Sequence, residues 1–259
     1  MSCINKQNSY QISFEGKWKE RFEQFAQDFE EDYLVSGWSD QGLQCRLRLF
    51  SELLKKQELP PRARVLDLGC AAGTYVRFLT RLGYTVVGLD YSLPSLSRAL
   101  TADPSRNGHY VAGNAYHLPF QEKSFDFIIT IGVFQALWHP ECACDEIRRI
   151  LRPNGILLIE ILNAFEIIAL IKRLAGRLFG LQPRVRTYFP FEANTWLNQR
   201  NFSTTGCIAI YLPPRRCQVL KRIFDSPKLF RALDRIPGFS QLAAHAFFII
   251  AISNDVKST

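Results

Sequence analysis

The chain has 259 residues, 47% hydrophobic and 22% charged, the composition of a folded globular protein with a sizeable core rather than a disordered chain. Its seven cysteines are odd in number and lie in scattered, mostly apolar contexts (Cys45, Cys70, Cys207), which argues against a disulfide framework. The formal charge of +8 suits an anionic partner, whether phosphate, nucleic acid or lipid headgroup, without requiring one.

In chain order, the opening MSCINKQNSYQ is polar and has no apolar run of the kind a secretory leader carries. Phe22, Phe25, Ala26, Phe29 and Tyr33 then recur at helical spacing, as do Leu43, Leu47, Phe50 and Leu54. Both segments read as helices packed on a sheet or over its mouth.

From about Arg62 onward, strand patterns alternate with helical ones. ARVLDLG is an apolar run followed by a helical TYVRFLTRLG that stops at Gly83. YTVVGLD is the next strand, and SLPSLSRAL the next helix, with Ser92 placed to cap it. HYVAGNA and SFDFIITIG are the third and fourth strands. PECACDEIRRIL is a helix stopped by RPNG, and GILLIEIL is the fifth strand. This alternation predicts an α/β fold with a parallel sheet covered on both faces.

Beyond it come a helical FEIIALIKRLAGRLFG, an irregular LQPRVRTYFPF, a helix EANTWLNQRN and a strand GCIAIYL. A basic helical stretch, RRCQVLKRIFDSPKLFRALDRIPG, precedes a last strand, AFFIIAIS, making seven strands in all. No stretch reads as a membrane span, because ILNAFEIIALIKRLAG is broken by Asn163, Glu166 and Lys172 and LAAHAFFIIAI is too short. The expected organisation is a helical cap over residues 1–61 and one domain over 62–259. Within that domain, 162–205 form a substrate-side lid and 213–240 a basic amphipathic helical insertion. The cytosol, or the inner face of the membrane, is the expected compartment.

The turn VLDLGCAAGTY raises the functional question. It lies at the carboxyl end of the first strand, where open α/β sheets bind ligands, and its small residues let a ligand approach the backbone. Free amides at the helix start would attract polar groups there. A dinucleotide fingerprint would need glycine at Ala71 and at Thr74, so it fails at two of three positions. The alternative pattern has an acid two residues before the first small turn residue and a glycine four residues after it. Asp67, Gly69 and Gly73 meet it. Asp90, ending the second strand, is placed to accept both hydroxyls of a ribose, a role found with either cofactor class.

Together with VVGLDYSLPSL, GNAYHLPFQEKSFDFIITIGVFQAL and EIRRILRPNGILLIE, this turn resembles the class I S-adenosylmethionine-dependent methyltransferases of the small-molecule type. The resemblance runs in order from about residue 62 to 161, continues more weakly in YFPFEANTWLNQRNFSTTG, and implies a Rossmann-like, doubly wound, mostly parallel sheet. It implies S-adenosylmethionine as the cofactor and no metal, the lone Cys142–Ala143–Cys144 having no second cysteine pair to complete a site.

Residue by residue, the resemblance gives Asp67, Gly69 and Gly73 to the methionine part and Asp90 to the ribose, with Tyr91 beside the adenine. Asn114 and Ala115 would meet the adenine edge, Asn114 standing where the family has an acid. Thr130 and Gly132 would end the fourth strand under the cofactor, and Ala71 would be a tolerable wall in a loop that has no phosphate to hold.

A Glu-His pair that many relatives carry after the fourth strand reads Gln135–Ala136 here. His139 is the nearest replacement base, with helix capping as its structural alternative, and His117 lies near the adenine position. Lys172, Arg173, Arg177, Arg184 and Arg186 fall where the acceptor wall is expected. The acceptor is then a small-molecule or lipid-linked metabolite, a sugar hydroxyl or a natural-product intermediate. The basic stretch 213–240 either rests on an anionic membrane or packs on the domain. A nucleic-acid or protein acceptor ranks lower, since no recognition module is appended. A catalytically silent binding module is the third reading.

Overall fold

The computed structural model describes residues 9–166, 185–212, 227–236 and 238–254, together with 170–171, 174–175 and 178–179. Three helices come first: α1 (Ser9–Asp28), the short α2 (Asp32–Val35) and α3 (Asp40–Leu54). Then β1 (Arg64–Leu68), α4 (Thr74–Arg81), β2 (Thr85–Asp90), α5 (Leu93–Ala102), β3 (His109–Ala112), β4 (Phe125–Thr130) and α6 (Pro140–Ile150) alternate as the sequence leads one to expect. They are followed by β5 (Leu151–Leu162), α7 (Pro190–Asn198), β6 (Phe202–Ile210), α8 (Pro227–Leu233), α9 (Phe239–Ala243) and β7 (Ala246–Ser253).

Local chemistry sets the boundaries. Ser92 Oγ accepts from the Ser95 amide at 3.2 Å, the cap read from the sequence, and Ser39 Oγ likewise accepts from Gly42 at 3.1 Å to start α3. The seven strands form one sheet in the order β3-β2-β1-β4-β5-β7-β6. Six strands run in one direction, and β7 alone is reversed, antiparallel to both β5 and β6. Strands buried on both faces carry continuous apolar runs. Leu66, Ile128 and Ile159 pack toward Ile147, Ala193 and Leu197 of α6 and α7. Val65, Phe127 and Leu158 face the other way, toward Phe50, Val76 and Leu79 of α3 and α4.

One boundary differs from expectation. RPNG does not separate helix from strand; it is looped out within β5. Leu151 pairs with Phe125, and the next matched pair is Ile156 with Phe127. The fully buried Leu151 is held in the core, Arg152 pairs with Asp126 on β4, and Asn154 takes a positive φ of 60° to turn the excursion back.

A charge pair lies inside the α3 face of the sheet. Arg46 donates to Glu160 Oε1 of β5 from Nε at 2.8 Å, with Nη2 2.7 Å from the same oxygen. Arg46 Nη1 donates to the Gly42 carbonyl at 3.1 Å. The two side chains are 3% and 0% exposed, so neither charge has water to fall back on. Arg46→Met should therefore cost about 3–5 kcal/mol by stranding a buried carboxylate. Urea unfolding should also show Arg46→Met/Glu160→Met recovering most of that loss. A single variant as stable as the parent would show that the pair contributes nothing.

Candidate functional site

The carboxyl ends of β1 to β4 open on a cavity of about 710 Å³, within the range of roughly 300–1,000 Å³ usual for small-ligand sites. Its floor begins with the β1–α4 turn. Gly69 has φ +82°, and a Cβ there would lie 2.2 Å from Val133 Cγ2, so only glycine fits. Ala71 also sits in the left-handed region at φ +45°, at a cost of about 1 kcal/mol for a residue bearing a Cβ. It is held there by its amide, which donates to Asp90 Oδ2 at 2.9 Å.

Several amides of this turn are committed within the protein. Gly69 and Cys70 donate to the Leu89 carbonyl at 2.7 and 3.1 Å, and Gly73, the residue before α4, donates to the Cys70 carbonyl at 2.7 Å. With Ala71 committed to Asp90, four of the turn's amides, those of Gly69, Cys70, Ala71 and Gly73, are used internally. A pyrophosphate-holding loop needs those donors. This one is built to position carboxylates.

One carboxylate lines the floor and a second is buried out of its lining. Asp90, 7% exposed, accepts from Ala71 and from the Ser92 amide at 2.9 Å. Burial raises its pKa, and the amides of Ser92, Ala71 and Tyr91 oppose the rise. Asp67 lies behind the cavity surface, 2% exposed, and its Oδ2 has no partner among the described residues. Burial, with Asp90 as the smaller cause, pushes its pKa up to about 8. An unpaired buried carboxyl beneath a cavity has a use for a cation above it.

The far wall comes from the ends of β3 and β4. Tyr91, Asn114, Ala115 and Gly132 all line the cavity. Asn114 Oδ1 already accepts from the Tyr116 amide at 3.0 Å, while its Nδ2 has no partner among the described residues. Thr130 is fully buried behind this wall, its Oγ1 unpartnered among the described residues. Gly132 has φ +81°, and a Cβ on it would lie 2.7 Å from Trp38 Cζ2, so the indole rests directly on the strand end.

His139 does not line the cavity. Its Nδ1 lies 2.9 Å from Glu141 Oε1, and its backbone amide donates to Tyr116 Oη at 3.0 Å, just before α6. With Cys142 Sγ these side chains gather three potential ligand atoms within 4.8 Å of one another, outside the cavity. His117 is also absent from the lining, and so is Gln135, whose carbonyl accepts from the Arg186 amide. Ala136 and Leu137 do line it. Arg186 lies over the Trp138 ring at 4.8 Å. Lys172, Arg173, Arg177 and Arg184, read from the sequence as an acceptor wall, lie outside the described residues.

The N-terminal helices supply what sequence reasoning did not assign. Glu15, Trp18, Lys19 and Phe22 of α1, with Ser36, Trp38 and Leu43, close the cavity from above. Glu15 Oε1 accepts from Tyr116 Oη at 2.6 Å and from the Trp138 amide at 2.8 Å, pinning one end of α1. Arg98 of α5 donates to the carbonyls of Ala26 and Gln27 at 2.7 and 3.3 Å, pinning the other. The signal was present as an aromatic row at Trp18, Phe22 and Phe25 with Glu15 and Lys19 four residues apart, but amphipathicity alone does not say which surface it covers.

Comparison with known proteins agrees with this geometry. Residues 66–159 match the family model for a methyltransferase domain. A Synechocystis sp. protein described as an uncharacterized methyltransferase is 35% identical over 105 residues, 40% of this chain and 49% of its own. The demethylmenaquinone methyltransferase of Thermotoga maritima is 28% identical over 164 residues, 61% of this chain and 68% of its own. Among solved structures, a chain from a complex of the Haloferax volcanii Trm112 methyltransferase activator with a methyltransferase superposes with a TM-score of 0.63. It covers 90% of this chain and 98% of that one at 16% identity, a likeness of fold. The chain spans about half the length of the first curated relatives it matches. Over residues 66–159 the chain is similar to the methyltransferase domain family, and its fold is like that of the solved chain from the Haloferax volcanii complex.

Proposed function

We propose that the cavity binds S-adenosylmethionine and that the protein transfers its methyl group to a small-molecule or lipid-linked acceptor. The observation that carries this reading is the pairing of Asp90, which accepts from a turn that uses four of its amides internally, with the unpartnered Oδ2 of Asp67. Such a floor suits a cationic nucleoside and not a pyrophosphate. When bound, the cofactor supplies a sulfonium-linked methyl that an acceptor takes by displacement, leaving a neutral thioether.

The chain's own residues then act by holding and enclosing. Asp90 retains lone pairs for two ribose hydroxyls after accepting two amides. Asp67 offers a counter-charge beneath the methionine ammonium, with Gly69, Ala71 and Gly73 shaping that end. Asn114 presents its free NH2 to the adenine edge, beside Ala115 and Tyr91. Thr130 backs the strand end, and Gly132 leaves room above it. The roof of α1 excludes water, so orientation and desolvation do most of the work.

No histidine lines the cavity, so His139 is not retained as a base. A free amine, a carbon nucleophile or an easily ionised hydroxyl needs none. The closed roof favours a small acceptor over nucleic acid or protein. Retention of both carboxylates argues against a silent module.

The lipid-linked option draws support from Ile171, Leu174, Leu178 and Phe179, which are helical and 61–76% exposed. Of the basic stretch 213–240, residues 213–226 lie outside the described set. Within the rest, Phe230 stacks on Tyr211 at 4.3 Å and Asp234 accepts from Tyr211 Oη, so α8 packs on the domain. No helix among the described residues is long and apolar enough to cross a membrane.

Calorimetry should show binding of S-adenosylhomocysteine, weakened by about 1.5–3 kcal/mol in Asp90→Ala through lost charge-assisted hydrogen bonds. No binding at millimolar ligand would end the proposal. A second expectation concerns protons. The neutral Asp67 carboxyl contributes stability that is complete below its unfolded pKa of 3.8 and lost as pH rises through about 8. A cation seated over it favours the carboxylate, so binding of S-adenosylmethionine at pH 7 should release a proton and tighten from pH 6 to 8. Titrations in buffers of different ionisation enthalpy measure this, and Asp67→Asn should abolish it. Finally, flotation should recover the protein with anionic vesicles, and Ile171→Asp/Leu178→Asp should prevent it; a parent that stays at the bottom rules the membrane contact out.

A further inference from the structure

The buried Arg46–Glu160 pair has a consequence at the cavity. The Arg46 guanidinium carbon lies 4.6 Å from the centre of the Trp38 ring, within range of a cation–π contact that gains strength when desolvated. The indole also meets Gly132, where a methyl group would be 2.7 Å from Cζ2. Its backbone is pinned as well: the Trp38 amide donates to the Tyr33 carbonyl at 2.7 Å, and the adjacent Ser39 caps α3. Trp38 is therefore a fixed aromatic wall of the cavity, between a strand end and a buried cation. Glu160 and Arg46 are positioning residues for it.

The remaining roof is of the same character. Trp18 and Phe22 stack with ring centres 5.3 Å apart, and Leu43, Ile131 and Val133 join them around the cavity. The polar side chains on this side are few. Thr74 Oγ1 donates to Asp32, Glu15 Oε1 is committed to Tyr116 and Trp138, and Lys19 lies beside Glu23. Ser36 is left. A sugar brings several hydroxyls, each costly to bury without a partner, whereas a flat apolar ring requires only surface to cover.

We infer that the methyl acceptor is an apolar, ring-bearing molecule that packs against Trp38, with Trp18 and Phe22 over it. This rests on the methyl-transfer reading and narrows its acceptor, setting the sugar alternative aside.

The test uses the full chain saturated with S-adenosylhomocysteine, titrated with 2-naphthol as a ring probe and methyl α-glucopyranoside as a sugar probe. Naphthol should bind saturably and the glucoside should not. Trp38→Ala should weaken naphthol by about tenfold more than it weakens S-adenosylhomocysteine, the loss of one aromatic face, while Trp38→Phe keeps most of the affinity. Urea unfolding of both variants separates loss of the wall from loss of the fold. Arg46→Met/Glu160→Met, stable but without the cation behind the indole, should also bind naphthol less well, which a purely structural pair would not cause. Glucoside binding, no naphthol binding, or naphthol affinity unmoved by Trp38→Ala would each overturn the inference. Absence of S-adenosylhomocysteine binding would instead strike at the methyl-transfer reading beneath it.

Discussion

The hydrogen bond from the Ala71 amide to Asp90 Oδ2 organises the site. It links the turn after β1 to the end of β2, holds an alanine in a conformation that alanine disfavours, and fixes one oxygen of the carboxylate toward the loop. The rest of the carboxylate then faces the cavity in one orientation. The amides of Gly69, Cys70 and Gly73 are occupied by the backbone of β2 and of the turn itself, so the geometry that seats Asp90 leaves fewer donors for a phosphate.

A second fixed element closes the opposite side. Arg46 and Glu160 are expensive to bury and are held together by two short contacts. Their location behind Trp38 gives them a role beyond stability, since a guanidinium stacked on an indole limits the ring to one position. The two carboxylate systems, Asp67 with Asp90 below and Glu160 with Arg46 behind, differ in an instructive way. One carries its own counter-ion and supports a wall. The other lacks one, and a cationic ligand would complete it.

Much of the fold was legible in the sequence because strands buried on both faces read as near-continuous apolar runs, and VLDL, VVGLD, FIIT and ILLIEIL do so but for Asp67, Asp90, Thr130 and Glu160. The cap at Ser92 was readable for the same kind of local reason. The looped-out RPNG was not, since proline and glycine signal a turn without saying whether the strand resumes in the same ladder. At the site, the positions of Ala71 and Asp90 could be read, but not the bond between them. Arg46 sits among Leu43, Leu47 and Phe50 at helical spacing, and Glu160 interrupts an apolar strand; each is a visible anomaly whose partner lies 114 residues away. His139 lies outside the cavity lining, with its ring held by Glu141 two residues on, a placement the sequence spacing does not reveal. The sequence left α1 either on the sheet or over its mouth, because an amphipathic helix does not name the surface it covers.

A crystal structure of the chain with S-adenosylhomocysteine bears most directly on the proposal. Both ribose hydroxyls are expected within hydrogen-bonding distance of Asp90, the methionine ammonium over Asp67, and the thioether sulfur open toward Gly132 and Trp38. A nucleoside bound elsewhere, or one whose sulfur faces away from Trp38, would contradict both the cofactor assignment and the acceptor wall built upon it.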